Sequence, residues 1–269
     1  MMVGAVAERA YLPAKSTFHE VGNMVVLTGK TISAALRPPY PYGGEFLSQF
    51  LFALQLCWFP MAVSMVAVSF GAPGLQAANF LSLFGALDRL GGFFILASVR
   101  EFAPFVSAII VAGVAGTAIT ADLGARKIRE ELDALQVLGV DPIKNVVVPR
   151  FLALMLITGL LDAYAIIFGI TGGILAELAY GQPLGGFFAT LFNNASVTDL
   201  WASVLKCAMF GAIVAVICSY KGMNASGGAE GVGRAVNEAV VLALLAVFAF
   251  NYIFTQTLLA TNPELSVIK

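Results

Sequence analysis

Charged residues are scarce in this chain. Only 12% of its 269 residues are Asp, Glu, Lys or Arg, whereas 59% are hydrophobic. Soluble globular proteins carry about 25% charged residues, and the mean hydropathy here is +0.88. The composition excludes an ordinary soluble domain and predicts an integral membrane protein. The net charge of −1 at pH 7 gives no indication of a nucleic-acid partner.

Histidine and cysteine are also scarce. His19 is the single histidine, so neither a histidine metal site nor a histidine-based catalytic triad can be assembled. The three cysteines lie in apolar runs without C-x-x-C spacing. We interpret Cys57, Cys207 and Cys218 as small buried apolar side chains. No metal site, cofactor or nucleophile–base pair is expected on this chain, and therefore no enzyme activity of its own.

Five apolar runs are long enough to cross a bilayer, which takes about 20 helical residues. They are predicted at residues 46–70, 93–121, 151–175, 200–220 and 235–259. Between the first two, a turn is expected at residues 71–74 and a short surface helix at 75–90. A loop is expected to include residues 180–183 and 193–194. No internal repeat is evident, which disfavours a transporter built from inverted halves.

The first 45 residues are predicted to form a cytoplasmic segment with one interfacial helix at residues 18–36. Its apolar side is formed by Phe18, Val21, Val25, Ile32 and Leu36. Prolines and tyrosines at residues 37–44 are expected to end this helix. The segment contains no compact apolar core, so no cleaved signal peptide is expected.

Lys and Arg are distributed unevenly over the loops. Most of the 15 lie on one side of the membrane when the N-terminus is placed in the cytoplasm. The excess of positive charge in cytoplasmic loops therefore predicts a cytoplasmic N-terminus and an extracytoplasmic tail at residues 261–269. Because five spans without a repeat suggest half of a pathway, we expect the chain to work as a dimer.

The one long, densely charged segment lies between the second and third spans. Residues 124–139 are predicted to form an amphipathic helix at the membrane surface, whose apolar face has spacings of 4, 3 and 3 residues. That face consists of Ile128, Leu132, Leu135 and Leu138. Gly139 and Pro142 are expected to end the helix. The candidate contacts with a soluble partner are Arg126, Lys127, Arg129, Glu130, Glu131, Asp133 and Leu135.

A second cytoplasmic segment, residues 221–233, is rich in glycine. Its candidate functional residues are Gly227, Gly228, Glu230, Gly231, Gly233 and Arg234. The glycines match G-x-x-x-x-G, but Arg234 and Ala235 stand where a phosphate-binding loop needs Lys and then Ser or Thr. We therefore predict a tight turn packed against the charged helix, and not a nucleotide site. Any energy for transport has to come from another protein.

Ionisable residues inside spans cost about 2.5–3.5 kcal/mol each on insertion scales, which makes each a functional candidate. Arg100 and Glu101, near Pro104, are candidates for a lipid pathway or gate, or for structural pairing with a neighbouring helix. Asp162 and Lys206 lie at comparable depth and are predicted to form an ion pair. An alternative function is an ion-coupled secondary transporter or channel that uses Glu101, Asp162 and Lys206 as a relay.

Two further carboxylates are expected at the ends of spans. Asp122 is predicted to act as a cap or turn residue at the cytoplasmic end of the second span. Glu177 is predicted to lie outside the hydrocarbon, in water.

Several strings of residues resemble the signature of the MlaE/YrbE family of ABC-transporter permeases. They are ADLGARKIREELDAL at 121–135, LGVDP at 138–142, VPR at 148–150, REFAP at 100–104, KG at 221–222, GGAEGVGRA at 227–235 and EAVV at 238–241. The ADLGAR form at 121–126 is most similar to the A-type YrbE subunits of actinobacterial Mce (mammalian cell entry) systems. The resemblance extends over residues 18–260.

The resemblance implies an all-α integral membrane protein with an N-terminal interfacial helix, five transmembrane helices within residues 46–260 and a cytoplasmic coupling helix. It implies a permease subunit in the cytoplasmic membrane that moves lipids or fatty acids. Two permeases would enclose a lipid cavity, a dimeric ATPase below would hold Mg-ATP, and MCE proteins outside would form a conduit. Coupling would then involve the charged helix at residues 124–139.

Two positions depart from the family pattern. Many members have Ala-Gly-Arg-x-Gly where this chain has Val114 in place of Arg, and Glu where it has Asp122. The missing Arg favours a heterodimer, in which a second YrbE-type permease supplies it. A third function considered for the chain is a scaffold that anchors extracytoplasmic conduit proteins without responding to lipid.

Overall fold

The computed structural model describes the backbone of residues 2–263 and the side chains of residues 19–263. Throughout this part of the chain every regular element is helical, which confirms the predicted all-α fold. The Phe18 side chain and residues 264–269, the larger part of the expected extracytoplasmic tail, lie outside the described residues.

The described elements form one series of helices in chain order. They are α1 (Met2–Leu36), α2 (Gly43–Ser82), α3 (Leu87–Ile128), α4 (Glu131–Val137), α5 (Ile143–Ala179), α6 (Leu184–Asn194), α7 (Val197–Met223) and α8 (Gly228–Thr261). Wider π-helical turns lie within three of them, at Phe70–Gln76 in α2, at Ile95–Phe102 and Ala112–Gly116 in α3, and at Ile143–Val147 in α5.

Five of these helices, namely α2, α3, α5, α7 and α8, are long and apolar enough to cross a membrane. This confirms the number of spans predicted from the sequence. The longest, α3, has 42 residues, or ~63 Å at the α-helical rise per residue. Since a bilayer core is about 30 Å thick, α3 reaches well beyond it and connects both ends of the bundle.

The centre of the bundle is α5, which packs against α2 on one side and α7 on the other. Helix α3 contacts all four other spans. Close approach depends on glycines at the crossings. A Cβ added to Gly211 of α7 would lie 2.4 Å from the Leu154 carbonyl oxygen of α5, and one added to Gly172 of α5 would lie 2.8 Å from the Phe70 nitrogen. Small residues replace the hydrophobic driving force that is missing between helices in lipid.

The turn predicted at residues 71–74 is wrong, because the chain passes through them as part of α2. The π-helical turn at Phe70–Gln76 accommodates Pro73, which has no backbone N–H. Gly74 lies so close to α5 that an added Cβ would be 2.8 Å from the Ala176 Cβ. Pro73 and Gly74 serve helix packing here and do not end a helix. The predicted surface segment at 75–90 is divided between the end of α2 and the start of α3.

The expected loop between the third and fourth spans contains helix α6. Its sequence begins LGGFF, the same five residues as Leu90–Phe94 at the start of α3. The two segments pack together, with the rings of Phe94 and Phe187 5.7 Å apart in an edge-to-face arrangement. A Cβ on Gly91 would lie 1.9 Å from the Phe187 carbonyl oxygen, so the backbones are in direct contact.

Helix α1 lies against the bundle beside α5 and α7. Met24, Leu27 and Thr31 are buried on that side, whereas Val25 and Leu36 are 65% and 73% exposed. The apolar side predicted for an interfacial helix is thus mostly turned away from the protein. This arrangement is consistent with a helix that lies in the membrane interface.

Gly91→Ala is expected to lower the stability of the detergent-purified protein by roughly 1–3 kcal/mol, the usual cost of overpacking. Gly185→Ala is the matched control, because it lies in the other LGGFF segment and its Cβ would have no atom within 4 Å. Thermal unfolding measures both variants. Equal melting temperatures would contradict the close packing of α3 on α6.

Candidate functional site

The charged side chains of the bundle are concentrated at two places along α3. The first group, which we call the polar cluster, consists of Arg100, Glu101, Asp162, Asp199, Ser203, Lys206, Asn251 and Thr255. The second, which we call the charged elbow, is residues 126–133 between α3 and α4. The two groups lie toward opposite ends of the bundle, because α3 runs from one to the other.

Arg100 forms an ion pair with Asp199 of α7. Its Nε donates to Asp199 Oδ1 at 2.7 Å, and the side chains are only 13% and 1% exposed. Asp199 is held by a capping box at the start of α7, in which its N–H donates to Ser196 Oγ and its carboxylate accepts from the Ser196 N–H. The start of a helix also stabilises a carboxylate electrostatically. Local sequence therefore positions the acid that receives Arg100.

Glu101 connects α3 with α7 and α8. Its carboxylate lies 3.3 Å from Lys206 Nζ, and it accepts hydrogen bonds from Thr255 Oγ1 at 2.8 Å and Asn251 Nδ2 at 2.9 Å. Lys206 also donates to the Arg100 carbonyl oxygen at 2.5 Å. Arg100 and Glu101 both belong to the π-helical turn Ile95–Phe102, an irregularity that is frequent at functional sites.

The predicted ion pair between Asp162 and Lys206 is wrong. Lys206 pairs with Glu101, while Asp162 Oδ2 accepts a hydrogen bond from Ser203 Oγ at 2.8 Å. Equal depth in two spans says nothing about the direction in which each side chain points, and this direction is set by helix packing. Asp162 Oδ1 is buried and makes no hydrogen bond with the described residues. The prediction that Glu177 is solvated is likewise wrong, since this residue is only 1% exposed.

The polar cluster borders a cavity of about 200 Å³ between α3, α7 and α8. Its polar lining is Arg100, Glu101, Asp199, Ser203, Lys206 and Thr255, and its apolar lining is Leu96, Ala202, Phe254, Leu258 and Leu259. Pro104, predicted with Arg100 and Glu101, is buried deeper in α3 and does not line it. A cavity with charged and apolar walls suits a molecule that has both a polar and an apolar part.

The charged elbow is not the single helix predicted for residues 124–139. Helix α3 ends at Ile128, Glu130 adopts a left-handed conformation with φ 61°, and α4 starts at Glu131. Two exposed ion pairs connect the two sides of the bend, Lys127 with Asp133 at 2.9 Å and Arg129 with Glu131 at 2.6 Å. The hydrogen bond that Arg129 donates to the Glu131 carboxylate raises the pKa of the Arg129 guanidinium further. The spacing of apolar residues in the sequence cannot reveal a single residue, such as Glu130, whose backbone is left-handed.

The bend also changes which apolar residues of the elbow are buried. Leu132 is buried, but Val137 and Leu138 are 88% and 77% exposed at the end of α4, and Ile128 is half-exposed. Gly139 ends the segment with φ 76°, as predicted. A recess of about 490 Å³ lies between α4, the chain that follows it and the end of α7. It is lined by Lys127, Leu132, Asp133, Gln136, residues 139–143 and Met223.

Asp122 is not the cap predicted from the sequence, because it lies inside α3 and its carboxylate forms an ion pair with a buried arginine. Arg150 of α5 is 1% exposed and its Nη2 donates to Asp122 Oδ2 at 2.7 Å. Glu45 at the start of α2 lies 3.5 Å from the same nitrogen, and Arg126 lies 3.2 Å from Asp122. The elbow is thus anchored to α2 and α5. Sequence reasoning missed Arg150 as a site residue, although a cation beside a span is a signal that it must be paired.

The glycine-rich segment is shorter than predicted, because α7 continues to Met223 and α8 begins at Gly228. Gly227 and Gly228 have φ of 92° and 71°, which favour glycine. A Cβ on Gly231 would lie 1.8 Å from the Ser226 carbonyl oxygen. Glu230 and Arg234 form an exposed ion pair at 2.9 Å, and nothing in the structure requires glycine at Gly233. The segment packs against the end of α3 through Val232 and Gly124.

A five-span helical bundle with an intramembrane polar cavity at one end and a charged elbow at the other defines a membrane permease. The family model Permease MlaE matches residues 46–257, and the chain belongs to this family of ABC-transporter permeases. This confirms the resemblance found in the sequence. The match includes most or all of each of the five spans and both groups of charged side chains.

Three relatives illustrate the similarity. The chain is 35% identical over 196 residues to a probable ABC transporter permease of Synechocystis, covering 71% of this chain and 74% of the relative. It is 34% identical to the intermembrane phospholipid transport system permease protein MlaE of Haemophilus influenzae, covering 68% and 70%. It is 32% identical to the chloroplastic protein TRIGALACTOSYLDIACYLGLYCEROL 1 of Arabidopsis thaliana, covering 68% and 52%.

Asp199→Asn is expected to destabilise the protein by roughly 3 kcal/mol, the lower end for breaking a buried pair, because Arg100 keeps some access to the cavity. Glu230→Gln is the control, since it breaks an ion pair whose side chains are 60% and 85% exposed, and such pairs contribute little. Thermal unfolding in detergent compares the two. A loss of stability in Glu230→Gln as large as in Asp199→Asn would contradict the role of burial.

Proposed function

We propose that this chain is the permease subunit of an ATP-driven transporter that moves lipids or fatty acids. The observation that carries the proposal is the continuity of α3. One helix holds Arg100 and Glu101 at the intramembrane cavity and ends in the charged elbow at the other end of the bundle. A movement imposed on the elbow can therefore reach the cavity through a rigid element. The name of the Haemophilus relative, a phospholipid transport permease, supports lipid as the cargo.

The elbow is proposed as the contact with a cytoplasmic ABC ATPase dimer that carries Mg-ATP. Its charges are exposed and of both signs, with Lys127, Arg129, Glu131 and Asp133 in short ion pairs. The exposed pair Val137 and Leu138 supplies an apolar tip beside them. Burial of an apolar tip within a polar rim is typical of protein interfaces. This assignment places α4 and the N-terminus in the cytoplasm.

The cargo path is proposed to begin at the polar cluster. Arg100 and Lys206 can attract a phosphate or carboxylate headgroup, while Phe254 and Leu258 face the acyl chain. A second, apolar cavity of about 840 Å³ lies between α2 and α5 and offers further space for acyl chains. Its lining includes Trp58, Phe59, Val63, Tyr164 and Phe168.

A second YrbE-type permease is proposed as the partner in the membrane. Within their most apolar stretches, α2 and α8 are only 22% and 17% buried, whereas the other spans are at least 50% buried. These two helices therefore offer faces to a partner permease or to lipid. Val114, where many family members have Arg, supports a heterodimer of the A-type Mce kind. MCE proteins would bind at the end opposite to the elbow, outside the cytoplasmic (inner) membrane.

Charge reversal of Glu130, Glu131 and Asp133 to Lys is expected to reduce ATP-driven lipid transport by the reconstituted transporter to background. The change removes both ion pairs of the elbow and places positive charge at the start of α4, where it is unfavourable. Transport of a fluorescent lipid between vesicles, with and without ATP, is the measurement.

Asp88→Lys is the control for this variant, because Asp88 is exposed at the start of α3, far along that helix from the elbow. It is expected to keep transport. Unaltered ATP-driven transport in the triple variant would rule out the elbow as the ATPase contact.

A secondary transporter or channel remains the second candidate, favoured by one observation. Asp162 is fully buried and has no counter-ion within salt-bridge distance among the described residues, as is common for proton-relay carboxylates. This candidate predicts transport that follows pH or membrane potential without an ATPase. The assignment as an ABC-transporter permease predicts no transport in the absence of ATP.

Glu101→Gln is expected to lower lipid occupancy and ATP-driven transport roughly tenfold, since the charge that orients Lys206 is worth about 1.4 kcal/mol or more. Co-purified lipid is quantified by mass spectrometry. Ser107→Ala is the control, because it removes a buried hydroxyl of α3 that does not line the polar cavity. Intact occupancy and transport in Glu101→Gln would mean that the Glu101–Lys206 pair is only structural.

A further inference from the structure

A basic recess of about 470 Å³ lies between α1 and the connection from α4 to α5. Three cations line it. They are Lys30 of α1, Arg37 directly after the end of α1, and Lys144 in the first turn of α5. Ser33 adds a hydroxyl, and Asp141 is the one carboxylate of the lining. The lining therefore carries an excess of two positive charges.

None of these three cations is paired within the described part of the chain. No carboxylate there lies within salt-bridge distance of Lys30, Arg37 or Lys144. Asp141 is occupied differently, because its Oδ1 accepts the Ile143 N–H at 2.9 Å. By contrast, Lys221 of α7 pairs with two carboxylates, Glu20 and Glu238. Three cations around a recess with a single carboxylate leave an excess of positive charge that favours the binding of an anion.

The surroundings of the recess suit lipid headgroups. Helix α5, which is long and apolar enough to cross a membrane, begins at Ile143, next to Lys144. Helix α1 exposes Ile32 and Leu36 beside the recess, and Tyr40, an interfacial residue type, donates to the Leu36 carbonyl oxygen. Basic pockets between helices at this level suit phosphate headgroups.

We propose that this recess binds the phosphate of an anionic phospholipid, with Lys30, Arg37 and Lys144 as its ligands. The Ser33 hydroxyl, which makes no hydrogen bond with other described residues, can donate to the same phosphate. The bound lipid joins α1 to the connection that follows α4. The site is separate from the polar cluster, and its occupation does not depend on the transport function.

The test offers the purified full-length chain phosphatidylglycerol and phosphatidylcholine with identical acyl chains, and counts bound lipid by native mass spectrometry. At the recess the wild type is expected to prefer phosphatidylglycerol roughly tenfold or more, because basic residues beside a membrane attract anionic headgroups. The triple variant Lys30→Gln, Arg37→Gln, Lys144→Gln is expected to lose the preference.

Two further variants separate local from general effects. Arg89→Gln, Arg129→Gln, Arg234→Gln removes the same charge outside the recess and is expected to keep the preference. The variant Lys30→Arg, Arg37→Lys, Lys144→Arg keeps the charge of the recess and is also expected to keep the preference for phosphatidylglycerol. If the triple Gln variant does not fold, the single variant Arg37→Gln replaces it, because Arg37 lies at an exposed position after α1. This variant is expected to reduce the preference for phosphatidylglycerol several-fold.

Three results would overturn the proposal. The first is an unchanged preference in folded Gln variants. The second is loss of the preference in the control that removes charge outside the recess. The third is displacement of phosphatidylglycerol from the wild type by millimolar inorganic phosphate, which would mean that the recess holds a free anion and not a lipid headgroup.

Discussion

The bundle depends on one constraint, that the cations placed among apolar helices have to be paired with acids of other helices. Removing an ion from water costs several kcal/mol even after relaxation, so Arg100, Lys206 and Arg150 each need an acid in a fixed place. The acids are Asp199, Glu101 and Asp122. Each of the three pairs includes a residue of α3, so this helix is held at both ends by α7 and α5. We expect such pairs to fix the arrangement of the helices more than they add to net stability.

Close backbone packing makes these pairs possible. Gly91, Gly172 and Gly211 let helices approach within distances that any Cβ would prevent. The π-helical turns of α2 and α3 adjust the direction of side chains locally, as at Arg100 and Glu101. Glycine and proline, which end helices in soluble proteins, here lie inside spans, because neighbouring helices hold the backbone in place. The same residues misled the prediction of a turn at 71–74.

The two ends of α3 give the molecule its functional asymmetry. One end borders a small cavity with charged and apolar walls, and the other bends at Glu130 into an exposed, charged surface. The Asp122–Arg150 pair lies between them and ties the bend to α5 and α2. A force on the elbow therefore acts on three helices at once. The basic recess beside α1 adds a further contact with the membrane next to the same bend.

Hydrophobic runs and charge density in the sequence determined the membrane class, the number of spans and the place of the charged segment, because each depends only on local composition. The family signature added the kind of transporter. Tertiary structure alone decided that Lys206 pairs with Glu101 and not with Asp162, since periodicity gives depth but not the neighbour a side chain faces. It also decided the bend at Glu130 and the helix α6, whose Phe187 is buried against Phe94 of the matching LGGFF segment in α3. These features arise from contacts between distant segments, which no local pattern contains.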